Sequence, residues 1–318
     1  MKHSDKKIVV EVHGRLGNQL FQYAFARSIQ AQVGGEILMN FQALEMQAQR
    51  QPDEKGWEDS LQGFQTIYER KDAVELTVLQ RLIVALGKLL KTRAGFRTLR
   101  GKPYDELTGW AKAFADLSRK HSVYHFPNLG LPFVAGKEKT IFLKGFFEDE
   151  QFANPVREQL LEEFQPREAL REQNKELMRV IEEENSVCVT IRRGDFVGKK
   201  QLFMCDEDYF KRGMAIIREK VENPVFVFFS DDLAYAQEFA ESALGENERY
   251  FIETPDNSLP EKLRLMAACK HFIISNSTFS WWAQYLGQAE DKIVVGPKRW
   301  MPAKPVGQTP VMESWIKL

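Results

Sequence analysis

The sequence predicts an α/β protein of two domains built on parallel sheets. Three observations support this fold class. The chain has 318 residues, enough for two domains of ordinary size. Residues 7–41 show the pattern strand, glycine turn, helix, strand, which is a βαβ unit. The second half alternates short apolar runs with amphipathic segments, a pattern typical of a parallel sheet.

In the first half, residues 7–12 are predicted to form a buried strand, followed by a tight turn with Asn18 as helix N-cap. Apolar residues then recur at helical spacing as far as Ile29, and Gly34 and Gly35 end the helix. Further strands are predicted at residues 36–41, 122–126 and 140–147, and helices at 154–164 and 168–184. Residues from about 45 to 120 are mostly helical and charged, without a clear sheet signal.

In the second half, strands are predicted at residues 187–191, 225–229, 251–252, 271–274 and 292–295. Helices at residues 207–221, 233–244 and 260–268 separate most of them. Three of the strands end in polar loops, at residues 192–195, 230–232 and 275–278. Because the carboxyl ends of parallel strands meet at one edge of a sheet, we expect these loops to form one ligand crevice.

Composition excludes several classes of protein. The net charge of −1 gives no electrostatic reason to expect a nucleic-acid partner. Cys188, Cys205 and Cys269 match neither a metal site nor a disulfide framework, which indicates reduced thiols. The polar first residues lead directly into a strand, so we expect no signal peptide, no membrane anchor and a cytoplasmic location.

The longest apolar segment, around residues 79–90, contains Gln80, Arg81 and Lys88. It is too short and too polar to span a bilayer. Its apolar face could contact a membrane surface, but packing against the rest of the protein is the favoured interpretation.

The pair Arg192 and Arg193 follows directly on a predicted strand. Guanidinium groups bind phosphate bidentately and stay charged at all relevant pH values. The alternative is a surface arginine pair with Asp195 as its salt-bridge partner. Because two other polar loops are predicted at the same edge of the sheet, the sequence favours a phosphate site.

Ser230, Asp231 and Asp232 end another strand, and one aspartate is expected to cap the next helix. The other is then left to accept hydrogen bonds from a nucleobase or ribose, or to bind a metal. No third ligand at useful spacing supports a metal.

Residues 275–280 carry five hydroxyl or amide side chains between a strand and a helix, an arrangement that suits a phosphate. Core packing is expected for at least one of Trp281 and Trp282, and the other could be a platform for a sugar. Near the amino terminus, residues 14–19 have too few glycines for a dinucleotide fingerprint. Asn18 could contact sugar or phosphate there, and His13 is assigned a structural role ahead of a catalytic one.

Four motifs together resemble those of glycosyltransferase family 11, the α-1,2-fucosyltransferases. They are GRLGNQLFQYA at residues 14–24, IRRGDF at 191–196, FSDD at 229–232 and SNSTFSWW at 275–282. The resemblance implies a GT-B architecture, in which two Rossmann-like domains face each other across a cleft. Residues 1–165 would be the acceptor-side domain, with a helical insert at about 45–135, and residues 166–318 would bind GDP-fucose.

The resemblance further implies a bacterial galactoside α-1,2-fucosyltransferase. Such an enzyme transfers L-fucose from GDP-β-L-fucose to the 2-hydroxyl of a terminal galactose, with inversion and without a cofactor or essential metal. The acceptor stays open among lactose, which would give fucosyllactose, N-acetyllactosamine and a galactose of an O-antigen repeat. An enzyme of another linkage, α-1,6 or protein O-fucosyl, and a nucleotide-sugar-binding protein without transfer activity are the alternatives.

By resemblance, Arg192 would be the main ligand of the β-phosphate, with Arg193 and Asp195 organising its loop. Either Asp231 or Asp232 would read guanine. The other implied donor-binding residues are Gly17, Asn18, Thr190, Asn276, Ser277, Thr278, Phe279 and Ser280. Thr190 replaces a histidine of the related H-x-R-R-x-D motif, which is the one feature that favours a binder without activity.

Arg192, Asp195 and His13 are the candidate catalytic residues. The general base that takes the proton of the acceptor hydroxyl stays open among His13, Glu148, Asp149, Asp195 and the leaving phosphate.

Overall fold

A computed structural model describes residues 4–91, 104–125, 133–194, 205–301 and 310–318. The chain divides into two compact units, Met1–Phe164 and Gln165–Leu318. The division lies one residue before the domain boundary placed from the sequence. Each unit contains a parallel sheet with helices, so the predicted α/β class is confirmed.

The sheet of the first unit has the strand order β3-β2-β1-β5-β4, and all of its described pairings are parallel. Its central strand, β1, is buried because Ile8, Val9 and Val10 pack between layers on both faces. Its strands are β1 Lys7–Glu11, β2 Glu36–Asn40, β3 Glu69–Arg70, β4 Val123–Tyr124 and β5 Thr140–Leu143.

Helix α1 is the main helix packed on this sheet, and most of its side chains are buried. Its Phe25 ring lies 4.5 Å from Phe147 and 4.4 Å from Phe152, centroid to centroid, in the core of the unit. The helices of the unit are α1 Leu16–Val33, α2 Gln42–Arg50, α3 Val78–Lys91, α4 Gly109–Lys120, α5 Glu150–Ala153 and α6 Arg157–Glu163.

The segment from about 45 to 135 is not only helical, because it also supplies β3 and β4 to the sheet. The apolar pattern of the sequence predicted the second of these strands but not the first. Glu69 and Arg70 form a two-residue edge strand beside β2, and both are exposed. An exposed charged strand carries no apolar pattern, so this pairing was invisible in the sequence.

The sheet of the second unit has the order β8-β7-β6-β9-β10-β11, again with parallel pairings throughout its described strands. Counted within this unit, the order is 3-2-1-4-5-6, the Rossmann order. The strands are β6 Ser186–Ile191, β7 Val225–Ser230, β8 Tyr250–Ile252, β9 His271–Ile273, β10 Val294–Gly296 and β11 Ile316–Lys317.

The core of the second unit lies between this sheet and its helices. Strands β6 and β7 are buried along their whole length, which explains why their sequences are almost continuously apolar. The helices are α7 Lys175–Glu183, α8 Glu207–Lys220, α9 Leu233–Ala243, α10 Leu259–Ala268 and α11 Thr278–Leu286. Across the described ranges, no helix is both long and apolar enough to cross a membrane.

Candidate active site

The strand order of the second unit reverses between β6 and β9, which are neighbours in the sheet. Open parallel sheets bind ligands beyond the carboxyl ends of the strands at such a reversal. Arg192 follows β6 at this point, and Ser275 follows β9. Ser275 N donates a hydrogen bond of 3.1 Å to the hydroxyl of Thr190, which is buried. The hydroxyl of Thr190 therefore ties the two strand ends together, and its contact with a donor stays a prediction.

The third polar loop follows β7, on the other side of β6. Ser230 Oγ donates a hydrogen bond of 2.8 Å to the carbonyl oxygen of Ile191, which joins the ends of these two strands. The register pairs Ile191 with Ser230, so the next residues, Arg192 and Asp231, lie side by side. The three loops therefore line one edge of the sheet, as their positions at strand ends predicted.

Both arginines of the motif have aspartate partners from the β7 loop. Arg192 Nη1 lies 2.8 Å from Asp231 Oδ2, and Arg193 N donates to Asp231 Oδ1 at 2.8 Å. Arg193 Nε donates to Asp232 Oδ2 at 3.2 Å. The side chains of both arginines are 26% exposed, so the pairs lie at the surface of the edge. Asp195, the partner considered from the sequence, lies outside the described residues.

The expectation that one aspartate caps a helix is confirmed, since Asp232 accepts from Tyr235 N at 3.1 Å at the start of α9. The other aspartate, Asp231, already has partners in the arginine loop, and its predicted contact with a ligand stays a prediction. A Cβ atom at Gly194 would lie 2.4 Å from Asp231 Oδ2. A larger residue at position 194 would therefore push the Asp231 carboxylate away from the arginine loop.

Arg193 is further fixed by an aromatic ring. Its guanidinium carbon lies 3.6 Å from the centroid of the Tyr235 ring, within the range of a cation–π contact. Asp232 and Tyr235 together hold Arg193 against α9. Arg192 is the first residue after β6, the strand beside which the strand order reverses.

A buried ion pair that the sequence analysis missed supports the β7 loop from behind. Glu253 follows β8, and its Oε1 accepts from Ser230 N at 3.0 Å. Lys262 Nζ lies 2.8 Å from the same oxygen and donates to the carbonyl oxygen of Ser230 at 3.2 Å. The pair thereby satisfies both backbone groups of the residue that precedes Asp231.

The Glu253 side chain is 1% exposed, and this burial raises its pKa, although the cation of Lys262 acts in the opposite direction. A single glutamate immediately after an apolar strand was the signal that could have identified it. Its cationic partner, Lys262, comes from α10, however, and that contact is not visible in the sequence.

The residues after β9 separate into a buried group and a partly exposed group. Asn276 is buried and donates from Nδ2 to the carbonyl oxygen of Trp300 at 3.0 Å. Ser280 is also buried, with its Oγ 3.3 Å from Ser275 Oγ. The predicted donor-binding residues that reach the surface at the start of α11 are Ser277, Thr278 and Phe279. These three, with the backbone N–H groups of the first helical turn, are the groups that can meet an anion.

The tryptophan pair is part of the core. Trp281 and Trp282 are both fully buried, and their rings pack edge to face with centroids 5.0 Å apart. Trp281 also stacks on Tyr285, and its Nε1 donates to the carbonyl oxygen of Pro310 at 2.8 Å. The hypothesis that one of them is an exposed platform for a sugar is therefore wrong.

In the first unit, the glycine turn after β1 differs from its predicted form. Arg15, not Asn18, is the N-cap of α1, and Asn18 lies inside the first helical turn next to the buried Gly17. Gly14 has φ +78°, and a Cβ atom there would lie 2.4 Å from Asn18 Nδ2. The buried Leu16 explains why the helix starts early, since its apolar face begins there.

His13 has a carboxylate partner that the sequence analysis also missed. His13 Nε2 lies 2.9 Å from Glu11 Oε1 at the end of β1, and Lys144 of the loop after β5 pairs with the same carboxylate. Burial would raise the pKa of Glu11, but the hydrogen bonds from His13 and Lys144 lower it to about 2. Glu11 is therefore ionised at neutral pH and orients the His13 ring.

The other general-base candidates of the first unit are placed differently. Asp149 is 7% exposed and caps α5, accepting from Gln151 N at 3.1 Å. Glu148 is half-buried. In the ranges that the structure describes, no three His, Cys, Asp or Glu side chains come together as ligands of a metal ion.

A Rossmann sheet with a cationic loop at its reversal of strand order is typical of enzymes that act on nucleotide-linked substrates. The family model described as Glycosyl transferase family 11 matches residues 7–317, and the chain belongs to this family. The predicted family is thereby confirmed, and the protein is a glycosyltransferase.

Individual relatives show the same relationship. The chain is 28% identical over 321 residues to the O-antigen biosynthesis glycosyltransferase WbnK of Escherichia coli, covering 96% of this chain and 98% of that protein. It is 31% identical over 180 residues to an alpha-1,2-colitosyltransferase of Escherichia coli, covering 55% of this chain and 61% of the relative. It is 29% identical over 173 residues to galactoside alpha-(1,2)-fucosyltransferase 1 of Leontopithecus chrysomelas, covering 51% of this chain and 45% of the relative.

Proposed function

We propose that the chain transfers L-fucose from GDP-β-L-fucose to the 2-hydroxyl of a terminal galactose, with inversion at the anomeric carbon. The observation that carries this proposal is Arg192, which Asp231 holds at the reversal point of a Rossmann sheet. Family membership supports the class of reaction, and two of the relatives described above are named for α-1,2 transfer.

The chemistry needs a cation at this position. Breaking the bond between fucose and phosphate leaves negative charge on the diphosphate, and prearranged donors stabilise such charge better than water does. Arg192 would supply the positive charge, with Asp231 fixing the orientation of its guanidinium group. The N–H groups at the start of α11, beside Thr278, would supply further donors. With these groups in place, we propose that no divalent metal is essential.

The acceptor hydroxyl must lose a proton, and we assign this step to His13. Among the candidates of the first unit, it is the one with a carboxylate that orients its ring, whereas Asp149 serves as a helix cap. If Nε2 donates to Glu11, then Nδ1 is the nitrogen that accepts the proton. The roles of His13 and Glu11 resemble those of the histidine and acid in other general-base pairs.

The test is a transfer assay with purified protein, GDP-fucose, lactose and EDTA, with the product detected by mass spectrometry. Arg192→Ala should lower the rate by roughly two to three powers of ten, the usual effect of deleting one charge-stabilising donor. The matched control is Arg179→Ala, because Arg179 also has acidic partners but lies exposed on α7. Near-normal turnover by Arg192→Ala, with product formed by wild type, would contradict the proposed role.

A second donor is favoured by one specific observation. The relative named as an alpha-1,2-colitosyltransferase is 31% identical over its matched region. Colitose is L-fucose without its 3-hydroxyl, so the same site chemistry could serve both sugars. Comparing kcat/KM for GDP-fucose and GDP-colitose would identify the preferred donor.

Two further measurements distinguish the remaining alternatives. Analysis of the product by NMR distinguishes α-1,2 from α-1,6 linkage. Calorimetric binding of GDP without product on any galactoside would indicate a binding protein. Thr190 was the feature that favoured this last alternative. Its hydroxyl accepts a hydrogen bond from Ser275 N, so Thr190 holds the end of β6 to the loop after β9.

A further inference from the structure

Helix α3 has apolar side chains on two opposite faces. Its inner face is docked on the sheet, where Ile83 is buried and Gln80 Nε2 donates to the carbonyl oxygen of Thr140 at 2.8 Å. Gly87 lies against the ring of His125, so closely that a Cβ atom would come within 1.8 Å of it. These contacts fix the rotation of α3 about its own axis. The apolar residues on its outer face therefore do not pack on this sheet.

The outer face is apolar and exposed. Val78 is 78% exposed, Leu82 61% and Leu86 43%, and Leu79 and Leu89 are exposed as well. At about 100° per residue, these side chains fall in one stripe that is roughly 100° wide. A helix on the surface of a soluble protein normally has polar residues at such positions. A contiguous apolar stripe of this kind marks a surface that binds something.

Helix α4 adds to the same region of the molecule. Its Phe114 ring lies 5.8 Å from the ring of His125, centroid to centroid, so α3 and α4 both contact this residue beside β4. Trp110 and Leu117 of α4 are 54% and 42% exposed. Large exposed apolar side chains therefore occur on both of the helices that contact His125.

The charged residues of α3 itself all have one sign. Arg81 and Lys88 are exposed on one flank of the stripe, and α3 contains no acidic residue. The sequence from Leu76 to Tyr104 is free of aspartate and glutamate altogether, although the whole chain has a net charge of −1. The basic residues of this stretch are Arg81, Lys88, Lys91, Arg93, Arg97, Arg100 and Lys102.

An apolar stripe flanked by basic side chains is the pattern of helices that lie in the plane of a membrane surface. A second copy of this chain would bring the same positive charges together, which disfavours it as the occupant. We propose that α3 binds the surface of an anionic lipid bilayer. Leu82 and Leu86 enter the boundary between headgroups and acyl chains, and Arg81 and Lys88 contact the headgroups. This inference is independent of the donor and acceptor proposed above.

The test is flotation of the full chain with vesicles of phosphatidylethanolamine and phosphatidylglycerol, compared with vesicles of phosphatidylcholine alone. The apolar variant is Val78→Gln, Leu82→Gln and Leu86→Gln combined, because glutamine keeps a good helix propensity. Its vesicle affinity should fall about 100-fold, since each of these side chains contributes roughly tenfold when fully buried and insertion here is partial.

The charge variant combines Arg81→Gln and Lys88→Gln. It should lose about fivefold in affinity per residue on the anionic vesicles, and binding of the wild type should weaken as salt is added. The matched control is Ile67→Gln, because Ile67 is 68% exposed in the same unit but lies outside α3. Circular dichroism and thermal unfolding should be unchanged in all variants, since the replaced side chains are exposed.

Three results would overturn the proposal. The first is a wild type that does not float with the anionic vesicles. The second is an apolar variant that floats as well as the wild type or as the Ile67→Gln control. The third is a wild-type dimer, seen by light scattering, that the apolar variant converts to a monomer, because the stripe would then be covered by a second copy.

Discussion

Replacing Lys262 with methionine removes the cation of the buried pair behind the β7 loop and leaves its size almost unchanged. Glu253 then keeps its hydrogen bond from Ser230 N but loses the ammonium group 2.8 Å away. The carbonyl oxygen of Ser230 loses its donor at the same time. The perturbation therefore leaves a buried carboxylate without its cation and a carbonyl oxygen without its ammonium donor.

Removing one partner of a buried ion pair typically costs 3–5 kcal/mol of stability, against about 0–1 kcal/mol for an exposed pair. Glu253 is 1% exposed, but Lys262 is 21% exposed, so water can partly replace the ammonium group. We therefore expect a loss of about 3 kcal/mol for Lys262→Met. Lys175→Met is the matched control, because Lys175 pairs with Glu172 at 59% and 86% exposure and should lose less than about 1 kcal/mol.

The loss should depend on pH. The pKa of Glu253 is raised in the folded protein by burial, and Lys262 acts to lower it. A group whose pKa is raised on folding contributes most to the stability of the folded state at pH values below its unfolded pKa. This contribution to stability disappears as pH rises through the folded pKa. Without Lys262 the folded pKa rises further, so the deficit of the variant relative to wild type grows with pH. Each additional pKa unit adds about 1.4 kcal/mol to the deficit at high pH.

The measurement is urea unfolding at about pH 5 and about pH 8, followed by tryptophan fluorescence, to which the buried indoles of the second unit contribute. The double variant Glu253→Gln with Lys262→Met should recover part of the loss, because a neutral amide needs no cation. The reasoning is refuted if Lys262→Met loses no more than Lys175→Met, or if its deficit is the same at both pH values.

Three further changes test other parts of the structure. Glu11→Gln removes a carboxylate whose pKa is lowered to about 2 in the folded protein. The ionised carboxylate therefore stabilises the fold above its ordinary pKa of 4.5, and this stabilisation is lost as pH falls toward 2. In urea unfolding measured across this pH range, the variant should lose less stability than the wild type. Gly14→Ala should cost about 1–2 kcal/mol in thermal unfolding, because φ is +78° and the new Cβ atom would meet Asn18; an unchanged melting temperature would contradict this. Asp231→Asn replaces the charged partner of Arg192 with a neutral one and should lower transfer about tenfold, whereas an unchanged rate would show that this partner does not matter.

Five of the six described strands of the second unit could be predicted, because a parallel sheet is covered on both faces and such strands are mostly apolar. The two-residue edge strand β11, Ile316–Lys317, was not predicted. Strand ends followed by polar residues then predicted the edge at which Arg192 and Thr278 lie. The partner of Arg192 could not be predicted in this way. It depends on the register of β6 and β7, which places Asp231 beside the arginine, and register is a long-range property of the sheet.

Other errors arose where the partner of a residue is not visible in the local sequence pattern. Residues around Trp281 look amphipathic in sequence, but the carbonyl oxygen that satisfies its indole N–H comes from Pro310, far along the chain. Glu11 was passed over because a single acidic residue at a strand end has no pattern, and its importance comes from His13 and Lys144. In both cases part of the missing information was a contact between residues distant in sequence, with Pro310 for Trp281 and with Lys144 for Glu11.

The Rossmann order of the second unit also has a consequence for folding kinetics. The candidate donor site takes Arg192 from the end of β6, Asp231 from β7 and Thr278 from the start of α11, after β9. β6 must pair with β9 across a long stretch of chain that includes β7 and β8, and such non-local pairings form slowly. During synthesis, a nascent chain that ends before β9 can already join its arginines to its aspartates. If the proposed donor binds at this edge, affinity for it would appear only as the last strands join the sheet, and donor binding would then report on completed folding of this unit.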